Sequence, residues 1–356
     1  MCYNQKRSVY FKQYLSVLNK MNLGENILIT TKDLARECGV SLSTVQRALH
    51  NNGRINAETK KKILDKALEL NYQPDLVART LVSGKSMTIG MIVPFFDNQY
   101  YPRLCNSLAE QVSKQGYILN IQLHEDNKNL EKNIVSMLQG NHVDGIIFNP
   151  INKGKNLLDM IGSLHTNGCL LGLDEVENCP IPCVGNDEKE AGKIAAEYII
   201  DKGYKDIVFV VPTLYDKDKQ YNFGHHKRLE GILEVTGNHN IQPIIIHGSD
   251  YVEQVNKIFE QENLKKPAIL CSGEVFAFKV INDLINLGKK VRQDYGIMTF
   301  DHSELLETFN VNLTSVNNNV EEIGRQAGDI MVRMCNGEKV ELRTCIDVHI
   351  VEGDTL

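Results

Sequence analysis

From residue 87 onward the sequence alternates apolar runs with amphipathic segments, and this alternation constrains the fold more than any other feature. The runs MTIGMIVPF (87–95), YILNIQLHE (117–125), DGIIFNP (144–150), CLLGLD (169–174), CVGND (183–187), DIVFVVP (206–212), IQPIIIHG (241–248), PAILCSG (267–273) and YGIMTFD (295–301) read as strands. Between them, 102–116, 130–139, 157–168, 188–202, 224–236, 251–263 and 274–287 read as helices. Strands that are apolar along their whole length are covered on both faces, as in parallel sheets with crossover helices. Such crossovers are right-handed. There are too many strands for one comfortable sheet, so the pattern predicts two α/β lobes with a cleft between them. Open α/β sheets bind ligands beyond the carboxyl ends of their strands.

The stretch 31–81 has a different texture. Thr30 followed by Asp33 has the form of a capping box. Leu34 and Ala35 supply an apolar face, and Gly39 ends the helix because glycine takes a left-handed cap cheaply. Ser41 is placed to cap a second helix from Leu42 to about His50, in which Val45, Ala48 and Leu49 form one buried face. Asn56 starts a third helix with Ile63, Leu64, Ala67, Leu68 and Leu70 turned inward. Two helices joined by a short Gly-containing turn are the helix-turn-helix arrangement, and a plain three-helix bundle is the alternative these residues leave open. Pro74 ends the third helix by pushing Gln73 out of the helical region. LVARTLVSGKS (76–86) then holds about two turns before Gly84, too short to be stable alone and suited to folding on a partner.

Charge separates the two textures. Residues 1–86 hold 14 Lys and Arg against 7 Asp and Glu, whereas the remainder holds 25 against 38, within a net charge of −6. A basic head on an acidic body points the head at phosphate. The nine cysteines are an odd, scattered set, and MCYNQKRSVYFKQY carries no apolar run of export length. The expectation is a cytoplasmic chain with reduced thiols. Cys179 and Cys183 form the only close pair, with no further ligands placed for a metal site. No run of 18 apolar residues suggests a membrane span.

The combined motif is specific. Ala35, Gly39, Val40, Ser41, Thr44, Val45, Arg47 and Leu49, followed by Asn71, Tyr72, Pro74, Ala78, Arg79, Leu81, Gly84, Ile89, Gly90 and Pro94, resemble the lactose-repressor/galactose-repressor (LacI/GalR) family of bacterial transcription regulators. The resemblance runs from about residue 30 to the C-terminus. It implies an all-α helix-turn-helix head plus an α/β core that is two-lobed, similar to the type I periplasmic binding proteins and built on parallel sheets. The domains expected are a DNA-binding head over 27–73, a hinge helix over 74–86, and an effector-binding and dimerisation domain over 87–356. Its chain crosses between lobes near 200, 318 and 345, giving one lobe from 87–200 and 319–345 and another from 201–318 and 346–356. Residues 1–26 lie outside the family pattern; they form either an amphipathic helix or a mistaken start, Met21 being the natural one.

The resemblance implies a homodimer on a pseudo-palindromic double-stranded DNA operator. The DNA-facing candidates are Thr31, Ser41, Leu42, Ser43, Thr44, Gln46 and Arg47, with Leu42, Ser43 and Arg47 reaching the major groove. Gln46 either reads adenine bidentately or faces the backbone. Arg54 and Lys60, Lys61 and Lys62 are expected at phosphates. Ala78, Arg79 and Leu81 belong to the hinge helix, with Leu81 as a minor-groove wedge or as interdomain packing.

Beyond the first strand of the core, Asp97, Tyr100 and Tyr101 offer polar and aromatic surface suited to a sugar face or a planar base, or to lobe packing. Asp187 is placed to cap the next helix, and the resemblance implies that it also touches ligand. The resemblance further implies Arg228 as a ligand clamp, Asp301 as the carboxylate that grips a polyol, and Asn318 as a polar contact at a lobe crossing. Ser272-Gly273-Glu274 departs from the family, which often has Asn-Asp there. With no side chain at Gly273, a larger or differently substituted sugar, or a non-sugar ligand, is expected. His225-His226 reads as polarity beside the ligand.

The reading is a transcriptional regulator, a repressor, controlled by a small-molecule effector of the sugar class. The lobes would rotate, the hinge helix would form or melt, and affinity would shift by about 1–3 kcal/mol. No cofactor is expected. The alternatives are a sugar-binding receptor without a DNA role, which needs export, and an enzyme, for which there is no nucleophile elbow, P-loop or zinc spacing. CIDVHIVEGDTL ends the chain with no leucine heptad, so a dimer rather than a tetramer is expected.

Overall fold

The computed structural model describes residues 29–50, 53–73, 80, 84–173, 178–215, 219, 222–260, 264–302, 304 and 312–356. The chain divides into two compact units, Met1–Ser86 and Met87–Leu356.

The first unit contains α1 (Thr31–Cys38), α2 (Leu42–His50) and α3 (Ala57–Glu69). Local hydrogen bonds set their ends. The Thr30 hydroxyl accepts from the Asp33 N–H while the Asp33 carboxylate accepts from the Thr30 N–H, a reciprocal capping box. Gly39 sits at φ 68°, closing α1 in the left-handed region. The Thr44 N–H donates to Ser41 Oγ at 3.2 Å, and the Glu58 and Thr59 N–H groups donate to Asn56 Oδ1. Leu34, Ala35, Cys38, Val45, Ala48, Ile63 and Ala67 form the core. Two residues read as inward are not. Leu64 and Leu68 are 38% and 77% exposed. Ile63 and Ala67, four apart, already occupy the side facing α1 and α2, and the next residue along a helix lies about 100° round the axis.

The second unit holds two six-stranded sheets. One contains β1 (Thr88–Val93), β2 (Ile118–Leu123), β3 (Gly145–Phe148), β4 (Asn167–Leu171), β5 (Cys183–Gly185) and β11 (Arg343–Cys345), in the order β11-β5-β4-β3-β1-β2. The other contains β6 (Ile207–Val210), β7 (Ile244–Ile246), β8 (Ala268–Cys271), β9 (Gly296–Phe300), β10 (Thr314–Asn317) and β12 (His349–Val351), in the order β12-β10-β9-β8-β6-β7. Every pairing is parallel except β10 with β12, which is antiparallel. The two-lobed parallel core is what the alternation predicts, and the helical head is what the capped segments of 31–81 and the family resemblance predict. Asn167 and Gly168, read as the end of a helix, open β4 instead, because α6 (Gly154–Gly162) stops earlier.

Helices cover both faces of each sheet. α4 (Tyr100–Ser113), α5 (Lys128–Gly140), α6 and α11 (Val320–Cys335) enclose the first; α7 (Glu188–Asp201), α8 (Phe223–Asn238), α9 (Tyr251–Glu260) and α10 (Glu274–Asn286) enclose the second. α7 and α8 approach until backbones touch: a Cβ on Gly192 would lie 2.1 Å from the Arg228 carbonyl oxygen, and one on Gly231 2.0 Å from that of Lys189. This contact fixes where Arg228 starts.

The first lobe crossing is earlier than 200. Ala191, Ala195, Ala196 and Ile199 pack with Phe209 and Leu270 of the second sheet, so α7 belongs to the second lobe and the chain crosses at 186–187. Helical periodicity alone cannot say which sheet a helix covers. The chain returns at 318–319, since Val320, Ile323 and Ala327 join the first core, and leaves again at 346–348. One side chain ties the three crossings: Asn186 Nδ2 donates to the carbonyls of Asn318 at 3.0 Å and Ile346 at 2.7 Å.

Candidate nucleic-acid interface and ligand cleft

In the first unit, α2 is amphipathic in the sense a recognition helix requires. Val45 and Ala48 are 0% and 2% exposed, while Leu42, Ser43, Gln46 and Arg47 are exposed and Thr44 is half-buried. Ser41 Oγ lies 2.9 Å from Ser43 Oγ and 2.8 Å from Thr44 Oγ1, so hydroxyls cluster at the helix N-terminus, where the dipole favours a phosphate. The aliphatic stem of Arg47 runs beside Gly53, whose φ of 76° suits glycine; a Cβ there would sit 3.4 Å from Arg47 Cδ. Arg54 is exposed and Thr31 half-buried at the start of α1. Lys62 Nζ donates to the Cys38 carbonyl at 3.1 Å, tying α3 to the C-terminal end of α1, so part of its donor capacity is used inside the head. Ala78, Arg79 and Leu81 lie outside the described residues.

In the second unit, strand ends converge as the α/β rule requires. Asp301 follows β9, Ser272 and Gly273 follow β8, Asn318 follows β10, and Glu188 opens the helix after β5. Asp301 adopts φ 68°, a left-handed conformation costly for a residue with a Cβ and concentrated at functional sites. Its Oδ1 accepts from Asn318 Nδ2 at 2.6 Å. A small pocket, open to solvent, is lined by Gln99, Tyr100, Arg103, Glu274, Asp301, His302, Asn317, Asn318 and Val320. Arg103 spans the lobes there: its Nε pairs with Glu321 at 2.6 Å and its Nη1 donates to the His302 carbonyl.

Arg228 lies behind Asp301, 5% exposed. Its Nε meets Glu188 Oε2 at 2.6 Å, its Nη2 meets Asp301 Oδ1 at 3.6 Å, and its Nη1 donates to the Ser272 carbonyl at 3.2 Å. The guanidinium sits 4.3 Å from the Phe300 ring centroid. Burial works against its charge, but Glu188 and Asp301 outweigh that and hold it protonated. Burial pushes the Asp301 carboxyl above its usual range against the pull of Arg228, and Glu188 and Glu274 add to the push. Burial, with the Asp301 and Glu188 charges, raises the Tyr100 phenol. His225, beside Arg228, is lowered to about 3 by burial and the guanidinium, and its Nδ1 lies 3.1 Å from Thr213 Oγ1.

The structure brings Tyr100, Asp301 and Asn318 to the cavity wall, with Arg228 one layer behind and Gly273 adjacent. Three candidates are elsewhere. Asp97 is exposed on the loop after β1. Tyr101 OH donates to Asn149 Oδ1 at 3.1 Å and its ring meets Phe95 and Tyr100 edge-on, which is packing. Asp187 is exposed and accepts from the Glu190 N–H at 3.0 Å, serving as the cap of α7. Sequence reasoning missed Glu188, Glu274, Gln99 and Arg103. The first two lie three residues past strand ends, so the same strand-end rule could have found them; Arg103 becomes visible only once α4 and the loop after β9 are placed together. Among the described residues, no three His, Cys, Asp or Glu side chains could hold a metal ion, and no helix is long and apolar enough to cross a membrane.

Comparison with known proteins agrees with this architecture. Residues 30–75 match the bacterial regulatory proteins of the lacI family, and 196–356 match a periplasmic binding protein-like domain. Catabolite control protein A of Priestia megaterium is 30% identical over 321 residues, covering 88% of this chain and 94% of that protein. The lac repressor dimer bound to operator and the anti-inducer ONPF superposes with a TM-score of 0.81 at 19% identity, covering 92% of this chain and 98% of that one. The transcriptional regulator CelR in complex with cellobiose superposes at 0.65 with 18% identity, covering 92% and 99%. With a capped helix-turn-helix head, a two-lobed core and a relative matched over nearly its whole length, this chain belongs to the lacI family of bacterial DNA-binding transcription regulators.

Proposed function

We propose that the chain is a homodimeric repressor that binds a pseudo-palindromic operator and is controlled by a small-molecule effector of the sugar class, held between its two lobes. In this reading 27–73 reads DNA, 74–86 is the hinge, and 87–356 binds effector and dimerises; the setting is the bacterial cytoplasm, and no catalytic step is involved. The observation that carries it is the pairing of an exposed Leu42–Ser43–Gln46–Arg47 face on a buried-backed α2 with a polar cleft at the strand ends of the core. The operator complex of the lac repressor and the cellobiose complex of CelR support the same pairing of functions. Leu42, Ser43 and Arg47 enter the major groove, Arg54 and the hydroxyls at 41–44 meet phosphate, and Leu81 wedges the minor groove. Asp301, Asn318 and Tyr100 contact the effector, with Arg228 holding Asp301.

The test is fluorescence anisotropy of the full chain against promoter fragments neighbouring its own gene. Affinity is expected to fall steeply with salt, as counterion release requires. Arg47→Ala is expected to weaken the preferred fragment by about 1–3 kcal/mol relative to random DNA. DNA binding with no salt dependence and no fragment preference would remove the regulator reading.

A further inference from the structure

We propose that Asp144 and Met87 form a lock that fixes the direction in which the chain leaves the core for the hinge, so that Asp144 is a positioning residue for DNA binding; this rests on the reading of 74–86 as the hinge of a DNA-binding regulator. The starting observation is backbone conformation. Met87 is the first residue of the second unit and lies one residue before β1. It adopts φ 56°. This left-handed conformation crowds a Cβ against the neighbouring carbonyl, so a residue other than glycine keeps it only where its surroundings hold it there. Glycine takes it freely, yet glycine stands at 84, at φ 70°, and not at 87. The chain thus keeps a strained residue where the linker enters the core.

The second observation is what holds it. Both polar groups of the Met87 backbone are engaged: its N–H donates to Asp144 Oδ2 at 2.9 Å, and its carbonyl accepts from the Ile118 N–H at 2.9 Å. The next carbonyl, that of Thr88, accepts from the Asp144 N–H at 2.8 Å, so Asp144 grips two successive residues. The Met87 thioether packs on the first core. Asp144 is itself fastened, its carbonyl accepting from Asn167 Nδ2 at 3.0 Å and from the Cys335 thiol at 3.4 Å. Cys335 ends α11, and Met331 of the same helix presses on Gly145, where a Cβ would lie 2.1 Å from its sulfur. The other end of α11 is Val320, which lines the ligand pocket. The hinge therefore takes its direction from a helix that the effector site shares. The left-handed well is narrow for a residue with a Cβ and broad for glycine. A locked exit confines the head to a small range of directions and raises its effective concentration at the operator, whereas a swivelling exit spreads it over many.

Fluorescence anisotropy of the full chain on the preferred promoter fragment, with random DNA as reference and no ligand, tests the lock. Asp144→Ala is expected to weaken the preferred fragment by about tenfold or more and random DNA by less than about twofold, since the head itself is untouched. Asp144→Asn, whose amide oxygen still accepts from the Met87 N–H, is expected to stay within about threefold of the unaltered chain. Met87→Ala and Met87→Gly lose the same thioether and differ by one Cβ. The glycine variant is expected to show the higher thermal midpoint, because the strain is gone, and the weaker binding to the preferred fragment, by about threefold or more. A purely structural role would move stability and affinity in the same direction. Fragment preference kept in a folded Asp144→Ala variant, Asn as damaging as Ala at 144, or Gly at 87 melting no higher or binding no weaker than Ala would each overturn the lock while leaving the regulator reading intact. No fragment preference in the unaltered chain would overturn both. The Ala and Gly pair at 87 keeps the proposal refutable even if Asp144→Ala does not fold.

Discussion

Asn186 offers the sharpest perturbation of the core. It is 4% exposed, and its amide reaches two carbonyls, those of Asn318 at 3.0 Å and Ile346 at 2.7 Å, which lie on the other two lobe crossings. Asn186→Ala removes both donors and leaves two buried carbonyls unsatisfied. Each such orphan costs about 1–3 kcal/mol, so the expected loss is about 2–6 kcal/mol, nearer the low end if water fills the vacated amide volume. Asn186→Asp keeps the shape but turns a carboxylate toward two acceptors, so it is expected to destabilise more than Ala despite being the smaller structural change. Urea unfolding gives the magnitude, read as a midpoint shift at unchanged slope. Hydrogen exchange should show faster opening at 318–319 and 346–348. A loss under about 0.5 kcal/mol for Asn186→Ala, or Asp tolerated better than Ala, would refute the reasoning that this amide ties the crossings.

Glu188→Gln leaves Arg228 with Asp301 alone as a charged partner; because Glu188 is 23% exposed, the expected cost in urea unfolding is about 1–3 kcal/mol, below that of a fully buried pair. The same change removes a like charge from beside Asp301, so its carboxyl should titrate at lower pH by NMR. Gly231→Ala drives a Cβ to 2.0 Å from the Lys189 carbonyl oxygen, a contact only backbone movement relieves, and should cost at least about 1–3 kcal/mol by thermal unfolding of the core. Thr30→Ala removes the N-cap of α1 and should destabilise the head by about 1 kcal/mol in urea unfolding followed by circular dichroism. Asp33 is held below its ordinary 3.8 by the side-chain and backbone hydrogen bonds of Thr30 and by Arg36. Its contribution is therefore complete above that value and lost as pH falls through the lowered one, and Thr30→Ala should flatten this acid-side loss.

Chemistry confined to a few neighbouring residues is legible without coordinates. The Thr30–Asp33 box, the Gly39 cap, the Asn56 cap and the Asp187 cap are bonds between groups two or three residues apart, and the structure contains each one. The strand–helix alternation is legible for a similar reason: period and apolarity report how many faces an element buries, and hence the parallel, two-lobed class. Whether a given apolar residue is inward is less secure, as Leu64 and Leu68 show, because it depends on which flank of the helix its neighbours cover.

The candidate site divides along the same line. The family resemblance points to Asp301, Asn318 and Arg228, but what they meet depends on groups far away in the chain. Arg228 meets Glu188, 40 residues earlier, and so supports Asp301 instead of facing open space. Asn186 bonds to Ile346 across 160 residues, and α7 joins the second lobe because of side chains on strands that follow it. Electrostatic and packing energies are set by separation in space, which the order of residues along a chain does not encode once the chain crosses between lobes three times. The helices, strands and caps of this regulator are thus written locally, while the partner of each charge exists only in the folded chain.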